Sequence, residues 1–162
     1  MTGIIDKAER CDLPEILRVQ KAAFFPIAAL LHKDTLPPLN YTLSDTEADY
    51  AKQLILKYTL DGRIAGSVRA YLDAQNICRI GKLVVLPAYQ GRGIGKALMH
   101  TIHDHFSSCA AFELFTSKNI AYIVDFYQRL GYKEKYSEPF EGDILVFMER
   151  KNTSSSCKKQ PE

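Results

Sequence analysis

The stretch YQGRGIGKALMH, residues 89–100, turns a glycine-rich corner and continues without a break into a helical pattern. Three of its positions, Gly91, Gly93 and Gly95, lack a side chain. Three others carry hydrogen-bond donors, namely Gln90, Arg92 and Lys96. The first N–H groups of a helix have no internal partners, and the helix dipole adds positive potential at this end. The corner therefore predicts a bound anion.

Three familiar alternatives explain the glycines less well. A P-loop needs a hydroxyl residue after its lysine, but Ala97 follows Lys96. A dinucleotide-binding fingerprint needs a third glycine where Leu98 stands, and it follows the first strand of its unit rather than a fourth. A purely structural helix cap accounts well for one glycine but poorly for three, since each glycine costs backbone entropy on folding. A pyrophosphate held by consecutive backbone N–H groups remains.

Periodicity predicts the elements around this corner, in the order β-α-α-β-β-β-α-β-α-β-β. Alternating strands flank an Asp61–Gly62 turn, and a further strand ends before Pro87. Apolar residues at helical spacing predict one helix after the corner and another that ends at Gly131. The helices have apolar stripes that a sheet can cover, so we predict an α/β fold with a central mixed sheet.

Two helices are predicted upstream of the hairpin. The first begins after Asp12 as N-cap and ends at Pro26. The second opens with a capping box formed by Ser44 and Glu47.

Composition narrows the class of protein. The chain has 162 residues, 46% hydrophobic and 25% charged, with a net charge of +2, which predicts one globular domain without a nucleic-acid or membrane surface. We place this domain at residues 1–151 and predict a disordered polar tail at 152–162. Four widely spaced cysteines and an N-terminus without an apolar core predict free thiols in the cytoplasm, and no motif predicts a metal site.

Two motifs resemble those of one family. Gln90–Gly95 matches the [QR]-x-x-G-x-[GA] signature of the GNAT superfamily of acyl-CoA-dependent N-acyltransferases, and Asp125–Glu134 is similar to its later F-Y-x-x-x-G-[FY] motif. The resemblance extends over about residues 3–150. It implies a GNAT-type fold, with a mostly antiparallel sheet of about seven strands flanked by about four helices. It also implies an enzyme that transfers the acetyl group of acetyl-CoA to an amine, without a metal.

The resemblance also implies a set of cofactor contacts. The backbone of Leu83, Val84 and Val85 should leave the neighbouring strand and hydrogen-bond the pantetheine arm of CoA. The N–H groups from Gln90 or Gly91 to Lys96 should hold the pyrophosphate, while the side chains of Arg92 and Lys96 either add charge at the rim or are ordinary surface cations. The predicted cofactor-binding residues are Leu83, Val84, Val85, Gln90, Gly91, Arg92, Gly93, Ile94, Gly95, Lys96, Asn119 and Tyr127.

Two catalytic roles follow from the same resemblance. The N–H of Val85 should donate to the oxyanion of the tetrahedral intermediate. Tyr127 should protonate the leaving CoA thiolate, although a tyrosine on an apolar helical face also suits a core. The general base is left open, because Ile80 occupies the position where some members have a glutamate; a water chain or one of Asp73, Glu113 and Tyr71 must serve.

The acceptor is the least determined part. The segment that begins FFPIAALL at Phe24 is apolar, and YSEPFEGD, residues 136–143, adds acids, so these segments are either a pocket for a small cationic amine or ordinary loops. We therefore predict a small-molecule amine as acceptor. Two alternatives are a protein N-terminal or lysine acetyltransferase and a non-catalytic acyl-CoA-binding module. A homodimer is left open.

Overall fold

The structure, a computed structural model, describes residues 3–152. Its four α-helices are α1 Leu13–Leu30, α2 Leu43–Lys52, α3 Ile94–His105 and α4 Ala121–Arg129. Its seven strands are β1 Ile4–Lys7, β2 Leu54–Leu60, β3 Arg63–Leu72, β4 Ile77–Val85, β5 Ala111–Ser117, β6 Lys133–Phe140 and β7 Asp143–Lys151. The predicted α/β class, the order of elements and the number of strands are confirmed.

The strands form one seven-stranded sheet in the order β1-β2-β3-β4-β5-β7-β6. β1–β2, β2–β3, β5–β7 and β6–β7 pair antiparallel, whereas β4 and β5 pair parallel, so the sheet is mixed and mostly antiparallel as predicted. The β2–β3 hairpin turns at Asp61 and Gly62, which have φ angles of 51° and 75°. Both central residues are left-handed, as the tight hairpin turn predicted from Asp-Gly requires.

Two predicted helix boundaries were wrong. α1 continues through Pro26 to Leu30. Proline lacks the N–H that would bond the carbonyl one turn earlier, but Pro26 lies on the exposed side of the helix, where water can satisfy that carbonyl. α2 begins after Thr42 instead of Ser44: Thr42 Oγ1 accepts from Asp45 N–H at 3.1 Å and Asp45 reciprocates, forming the capping box. Glu47, the partner predicted for Ser44, pairs with Arg10.

The described residues form two compact units. The first, residues 3–71 and 82–102, has a core of residues from α1, β2, β3 and β4 together with Ala8, which follows β1. These residues are Ala8, Leu13, Ile16, Val19, Ala23, Ile55, Ile64 and Val84. Gly66 of β3 lets β4 and α3 approach closely in this unit. A Cβ at Gly66 would lie 2.9 Å from the Val84 carbonyl oxygen and 3.1 Å from Ile94 Cγ2. The start of α3, and with it the glycine corner, is thereby held against β3 and β4.

The second unit, residues 72–81 and 103–152, is built on β5, β6, β7 and α4. Its most buried side chains include Phe112, Tyr132 and Met148. Asn152 donates to the carbonyls of Ser107 and Cys109, and the rest of the predicted tail, residues 153–162, lies outside the described residues. The predicted single domain at 1–151 stays a prediction. None of the helices within residues 3–152 combines the length and the apolar character that crossing a membrane requires.

Candidate active site

The glycine corner forms an open turn at the N-terminus of α3. Gly91 and Gly93 have φ angles of 78° and 82°, a left-handed conformation that residues with a side chain rarely adopt. A Cβ at either position would meet no atom within 4 Å, so the turn faces open space. Gly95 lies one residue inside α3, where any residue could adopt the backbone conformation. Backbone geometry therefore explains two of the three glycines, and it leaves Gly95 without a conformational reason.

The N–H groups of this turn are available to a ligand. Gln90 N–H donates to the Pro87 carbonyl at 3.3 Å, and Ala97 N–H donates to the Gly93 carbonyl at 3.0 Å. Between them, within residues 3–152, the backbone N–H groups of residues 91–96 meet no acceptor. This row of donors at a helix N-terminus suits a group that is anionic and rich in oxygen atoms.

Two side chains of the turn have partners nearby. The Gln90 side-chain amide donates to the Val85 carbonyl at 3.0 Å and so connects the turn to the end of β4. The Arg92 guanidinium lies 5.2 Å from the centre of the Tyr89 ring. Arg92 and Lys96 are both exposed, which leaves their charges at the surface of the turn.

Strand β4 becomes irregular before it reaches this turn. Its pairing with β5 runs from Ile77↔Ala111 to Arg79↔Glu113, and Ile80 and Gly81 have no β5 partner in the part of the chain that the structure describes. Lys82 then has a φ of 48°, which interrupts the pleat and is uncommon for a residue with a side chain. The irregularity immediately precedes Leu83, Val84 and Val85, the residues predicted to bind pantetheine.

Tyr127 belongs to the second unit and lies on the buried side of α4. Only 9% of the residue is exposed, and its ring contacts those of Phe126 and Tyr132 edge-on, at 5.1 and 5.9 Å between ring centres. Burial raises the pKa of the Tyr127 hydroxyl, which keeps it protonated at neutral pH. That hydroxyl has no hydrogen-bond partner within residues 3–152, and its oxygen is not among their fully enclosed polar atoms. The ring thus fills a core while the hydroxyl is free to donate.

A comparison with known families agrees with these features. The family described as the acetyltransferase (GNAT) domain matches residues 41–152. The chain belongs to the GNAT acetyltransferase family. The predicted resemblance is thereby confirmed, and the matched segment is the domain of an acyltransferase.

The relatives of this GNAT domain are distant in sequence. The UPF0157 protein YqkA of Bacillus subtilis (strain 168) is 28% identical over 120 residues, and the chain spans 34% of that protein's length, with 74% of its own residues aligned. Solved structures resemble it closely in fold at low identity. The PaiA N-acetyltransferase of Thermoplasma acidophilum, in complex with coenzyme A, is 18% identical with a TM-score of 0.80, over 93% of this chain and 99% of that one.

Two further solved structures have the same fold. The ribosomal-protein-S18-alanine N-acetyltransferase of Escherichia coli is 18% identical with a TM-score of 0.77, over 93% of this chain and 94% of that one. YncA of Salmonella typhimurium, with its cofactor acetyl-CoA, is 18% identical with a TM-score of 0.73, over 94% and 95% of the two chains.

Asn119, predicted to contact the cofactor of this GNAT domain, has partners of its own. Its side-chain amide donates to Asp143 Oδ1 at 2.6 Å, and its backbone N–H donates to Ser117 Oγ at 3.2 Å. Ser117 Oγ also donates to Asp143, whose residue is only 6% exposed. The amide nitrogen of Asn119 is therefore engaged within the protein, and Asp143 is a buried carboxylate hydrogen-bonded to Asn119 and Ser117, not an exposed acid.

The carboxylates considered as general bases are held in ion pairs. Arg79 joins them, with Nε 2.9 Å from Asp73 Oδ2 and Nη1 2.8 Å from Glu113 Oε1. The other Glu113 oxygen accepts from Lys135 at 3.1 Å. The Ile77 N–H and Arg79 lower the pKa of Asp73. Asp73, stabilised in its charged form, is therefore a weak proton acceptor.

Sequence reasoning missed a polar cluster in the first unit, the Asp49 cluster, which consists of Gln20, Tyr41, Asp49, Arg69 and Lys82. Asp49 Oδ2 accepts from Arg69 Nη1 at 2.6 Å and from the Tyr41 hydroxyl at 2.8 Å, and Lys82 Nζ lies 3.6 Å away. Arg69 Nη2 donates to Gln20 Oε1 at 2.8 Å, and both residues are almost fully buried. The signal in the sequence was Arg69 itself, a charged residue in the middle of the buried strand RIAGSVRAYL.

The described residues offer no metal centre. No group of three or more His, Cys, Asp or Glu side chains within residues 3–152 is arranged to hold a metal ion.

Proposed function

We propose that this GNAT domain transfers the acetyl group of acetyl-CoA to the primary amine of a small molecule. The observation that carries the proposal is the open turn over residues 91–96, with its unpartnered N–H groups at the start of α3. Membership of the acetyltransferase family supports acetyl-CoA as the ligand, as do relatives of the same fold whose structures contain coenzyme A or acetyl-CoA.

The turn holds the pyrophosphate of CoA. Because Gln90 N–H is already engaged with Pro87, we assign the phosphate contacts to the N–H groups from Gly91 to Lys96. Arg92 and Lys96 add positive charge at the rim. The backbone of Leu83, Val84 and Val85, beyond the irregularity at Lys82, binds the pantetheine arm. Asn119 contributes through its side-chain oxygen, since its nitrogen is occupied by Asp143.

The chemistry is direct attack. The neutral amine nitrogen attacks the thioester carbonyl carbon, and the tetrahedral intermediate collapses as the C–S bond breaks, giving an amide and CoA thiolate. The N–H of Val85 donates to the oxyanion. Tyr127, with a protonated and unpartnered hydroxyl, donates its proton to the thiolate. The proton released by the attacking nitrogen passes to water, because the carboxylates Asp73 and Glu113 are ion-paired.

A protein acceptor is the second candidate. It is favoured by the likeness in fold to the ribosomal-protein-S18-alanine N-acetyltransferase, whose name gives a protein as the acceptor. The chain itself offers exposed apolar side chains at the end of α1, Phe25 and Leu30. Such a surface suits the apolar body of a small amine as well as a peptide.

We also propose a cytoplasmic location and leave a homodimer as an expectation. The cysteines within residues 3–152 are free, and two of them, Cys78 and Cys109, are buried in the second unit. Reduced, buried thiols are typical of proteins that fold in a reducing compartment.

The proposed function is tested by an acceptor panel. Purified protein and acetyl-CoA are incubated with polyamines, arylalkylamines, amino acids and peptides, and the free thiol released is measured with each. Release that depends on a small amine supports the proposal. Release that depends only on peptides favours the protein acceptor, and tight acetyl-CoA binding without release with any acceptor contradicts an enzymatic role.

A further inference from the structure

The Asp49 cluster contains more positive than negative charge. Arg69 and Lys82 are cations, and within residues 3–152 only Asp49 lies within ion-pair distance of them, while the Asp45 carboxylate acts on Lys82 from farther away. Arg69 makes the close contact, at 2.6 Å, and the same Asp49 oxygen accepts from the Tyr41 hydroxyl. Lys82, at 3.6 Å, has the weaker share of this carboxylate. Lys82 is therefore the cation of the cluster that lacks a close carboxylate partner.

The surroundings of Lys82 make this excess charge costly. Its side chain is only 23% exposed, and the Tyr41 ring, 4.4 Å from Nζ, replaces only part of the lost hydration. Burial lowers the pKa of Lys82 despite the opposing influence of Asp49. A cation that has lost much of its water without gaining a close carboxylate is stabilised by any anion that binds beside it. The left-handed backbone at Lys82 also marks this position as strained, as residues at functional sites often are.

Two polar atoms of strand β3 at the Asp49 cluster also lack hydrogen-bond partners within residues 3–152. Ser67 Oγ and Arg69 Nε are buried polar atoms without a partner within residues 3–152, and each residue is 1% exposed. Ser67 and Arg69 are two residues apart on β3, so their side chains leave the same face of the strand. Buried donors without acceptors are uncommon in native proteins, and an ordered water or a ligand oxygen is what completes them. Charge and donors thus point to the same kind of group, an anionic oxygen acceptor.

We propose that the Asp49 cluster binds a carboxylate carried by the acceptor amine, with Lys82 Nζ as its ion-pair partner. This rests on the proposed function, which it narrows to amines that bear a carboxylate. Because Asp49 and Asp45 already place two negative charges near Lys82, a singly charged carboxylate is repelled less here than a doubly charged phosphate monoester. Lys82 is thereby a specificity-determining residue.

The position of Lys82 on β4 sets the size of the acceptor. Lys82 is three residues before Val85, the proposed oxyanion donor, so the two residues are at most about 10 Å apart along the strand, and the left-handed φ of Lys82 shortens this span. A carboxylate at Lys82 and an amine attacking near Val85 therefore belong to one acceptor only if several bonds separate them. A long ω-amino carboxylate fits this spacing better than a short α-amino acid does.

The test compares 6-aminohexanoate with pentylamine, which has the same amine and chain but no carboxylate. We expect wild-type kcat/KM to favour 6-aminohexanoate by about 10- to 100-fold, the contribution of a charge-assisted hydrogen bond. In Lys82→Met, which keeps the stem and removes the charge, this ratio falls to about one, through KM for the carboxylate. Lys57→Met is the matched control. It also removes a half-buried lysine paired with a carboxylate of the first unit, and it retains the ratio.

Binding is measured in parallel, by calorimetric titration of 6-aminohexanoate into wild type and Lys82→Met saturated with CoA. Acetylation of both amines with equal kcat/KM in wild type, or an unchanged ratio in Lys82→Met, overturns the inference and leaves the proposed function standing. If neither amine is acetylated, the proposed acetyl transfer fails for these two amines. The titration then decides separately whether the carboxylate site exists. Binding that is lost in Lys82→Met supports the carboxylate site, and absence of binding to wild type overturns it.

Discussion

The side-chain amide of Gln90 donates a hydrogen bond to the carbonyl of Val85, with 3.0 Å between nitrogen and oxygen. The bond joins the first residue of the glycine turn to the last residue of β4. The two stretches proposed to hold the two ends of the CoA arm are thereby fixed relative to one another within the first unit. The glutamine of the signature motif thus has a structural task that is distinct from contacting phosphate.

Removing this hydrogen bond should loosen cofactor binding. We expect Gln90→Met, which keeps the length of the side chain without its donor, to raise the Kd for acetyl-CoA about 2- to 10-fold, the usual net value of one such bond. Calorimetric titration measures it. Gln75→Met, at an exposed loop position, is the control and should bind as wild type does. An unchanged Kd in Gln90→Met would mean that the bond does not position the turn.

A substitution at Gly95 tests whether this glycine is needed for cofactor binding or for backbone conformation. Because Gly95 lies in right-handed helix, alanine there should stabilise the unliganded protein by up to about 1 kcal/mol through helix propensity. We nevertheless expect Gly95→Ala to weaken acetyl-CoA binding, since the added methyl group stands where phosphate oxygens approach the backbone. Thermal unfolding with and without CoA measures both effects.

Gly93→Ala is the comparison for this variant. Its φ of 82° makes alanine strained, so it should lose stability and affinity together. If Gly95→Ala were stabilised by CoA as strongly as wild type, the pyrophosphate would not approach the backbone at Gly95.

Tyr127 and Tyr132 allow a matched test of the proposed acid. Tyr127→Phe removes a hydroxyl without a partner, so we expect little change in unfolding free energy but a fall in kcat of about 10²-fold, the lower end of the range for a general acid. Tyr132→Phe removes a buried hydroxyl that lies 2.7 Å from His103 Nε2, and it should cost about 1–3 kcal/mol of stability.

Chemical denaturation and steady-state rates across pH, measured on both variants, distinguish the two tyrosines. Tyr127→Phe with an unaltered kcat and pH profile would assign the proton donation to water.

The Asp12–Lys57 pair predicts a pH-dependent stability. Burial raises the pKa of Asp12, but the hydrogen bonds from Lys57 at 2.7 Å and from Glu9 N–H outweigh it, so the pKa lies below its ordinary 3.8. A carboxyl group whose pKa is lower in the folded than in the unfolded state stabilises the fold at pH values above its unfolded pKa. This stabilisation is lost as the pH falls through the folded pKa.

Asp12→Asn should therefore be less stable than wild type at neutral pH, by about 1–2 kcal/mol, with the gap closing below about pH 4. Urea unfolding between pH 2 and 7 measures this, with Asp34→Asn, at an exposed position, as control. A gap that persists unchanged at pH 2 would show that the carboxylate charge is not its source.

Local signals in the sequence predicted the parts of this GNAT domain that depend on local backbone conformation. The Asp61–Gly62 turn and the glycine corner each need left-handed residues at fixed positions. Glycine, and in a hairpin turn aspartate, adopt this conformation most readily, so their presence in the sequence predicts it. Strand alternation and helical spacing likewise follow from which side of each element is buried.

Features that depend on tertiary contacts could not be predicted in this way. Helix α1 continues past Pro26 because Pro26 lies on the exposed side of the helix, and the local sequence does not specify which side is exposed. The Asp49 cluster draws residues from α1, α2, β3 and β4 together with Tyr41, and only the folded first unit brings Arg69 and Lys82 to one carboxylate. Arg69, a charged residue within a buried strand, was not recognised in the sequence as the centre of a polar cluster, because its partners come from distant parts of the chain.

The most direct test of the central claim measures two products of one reaction, free thiol from acetyl-CoA and N-acetylated amine, by colorimetry and mass spectrometry. The account predicts equal amounts of the two, no thiol release without amine, and a proportional loss of both in Tyr127→Phe. Thiol release without an acetylated amine would show hydrolysis instead of transfer. Acetyl-CoA binding at the glycine turn with neither product, across the amine panel, would contradict an acetyltransferase function.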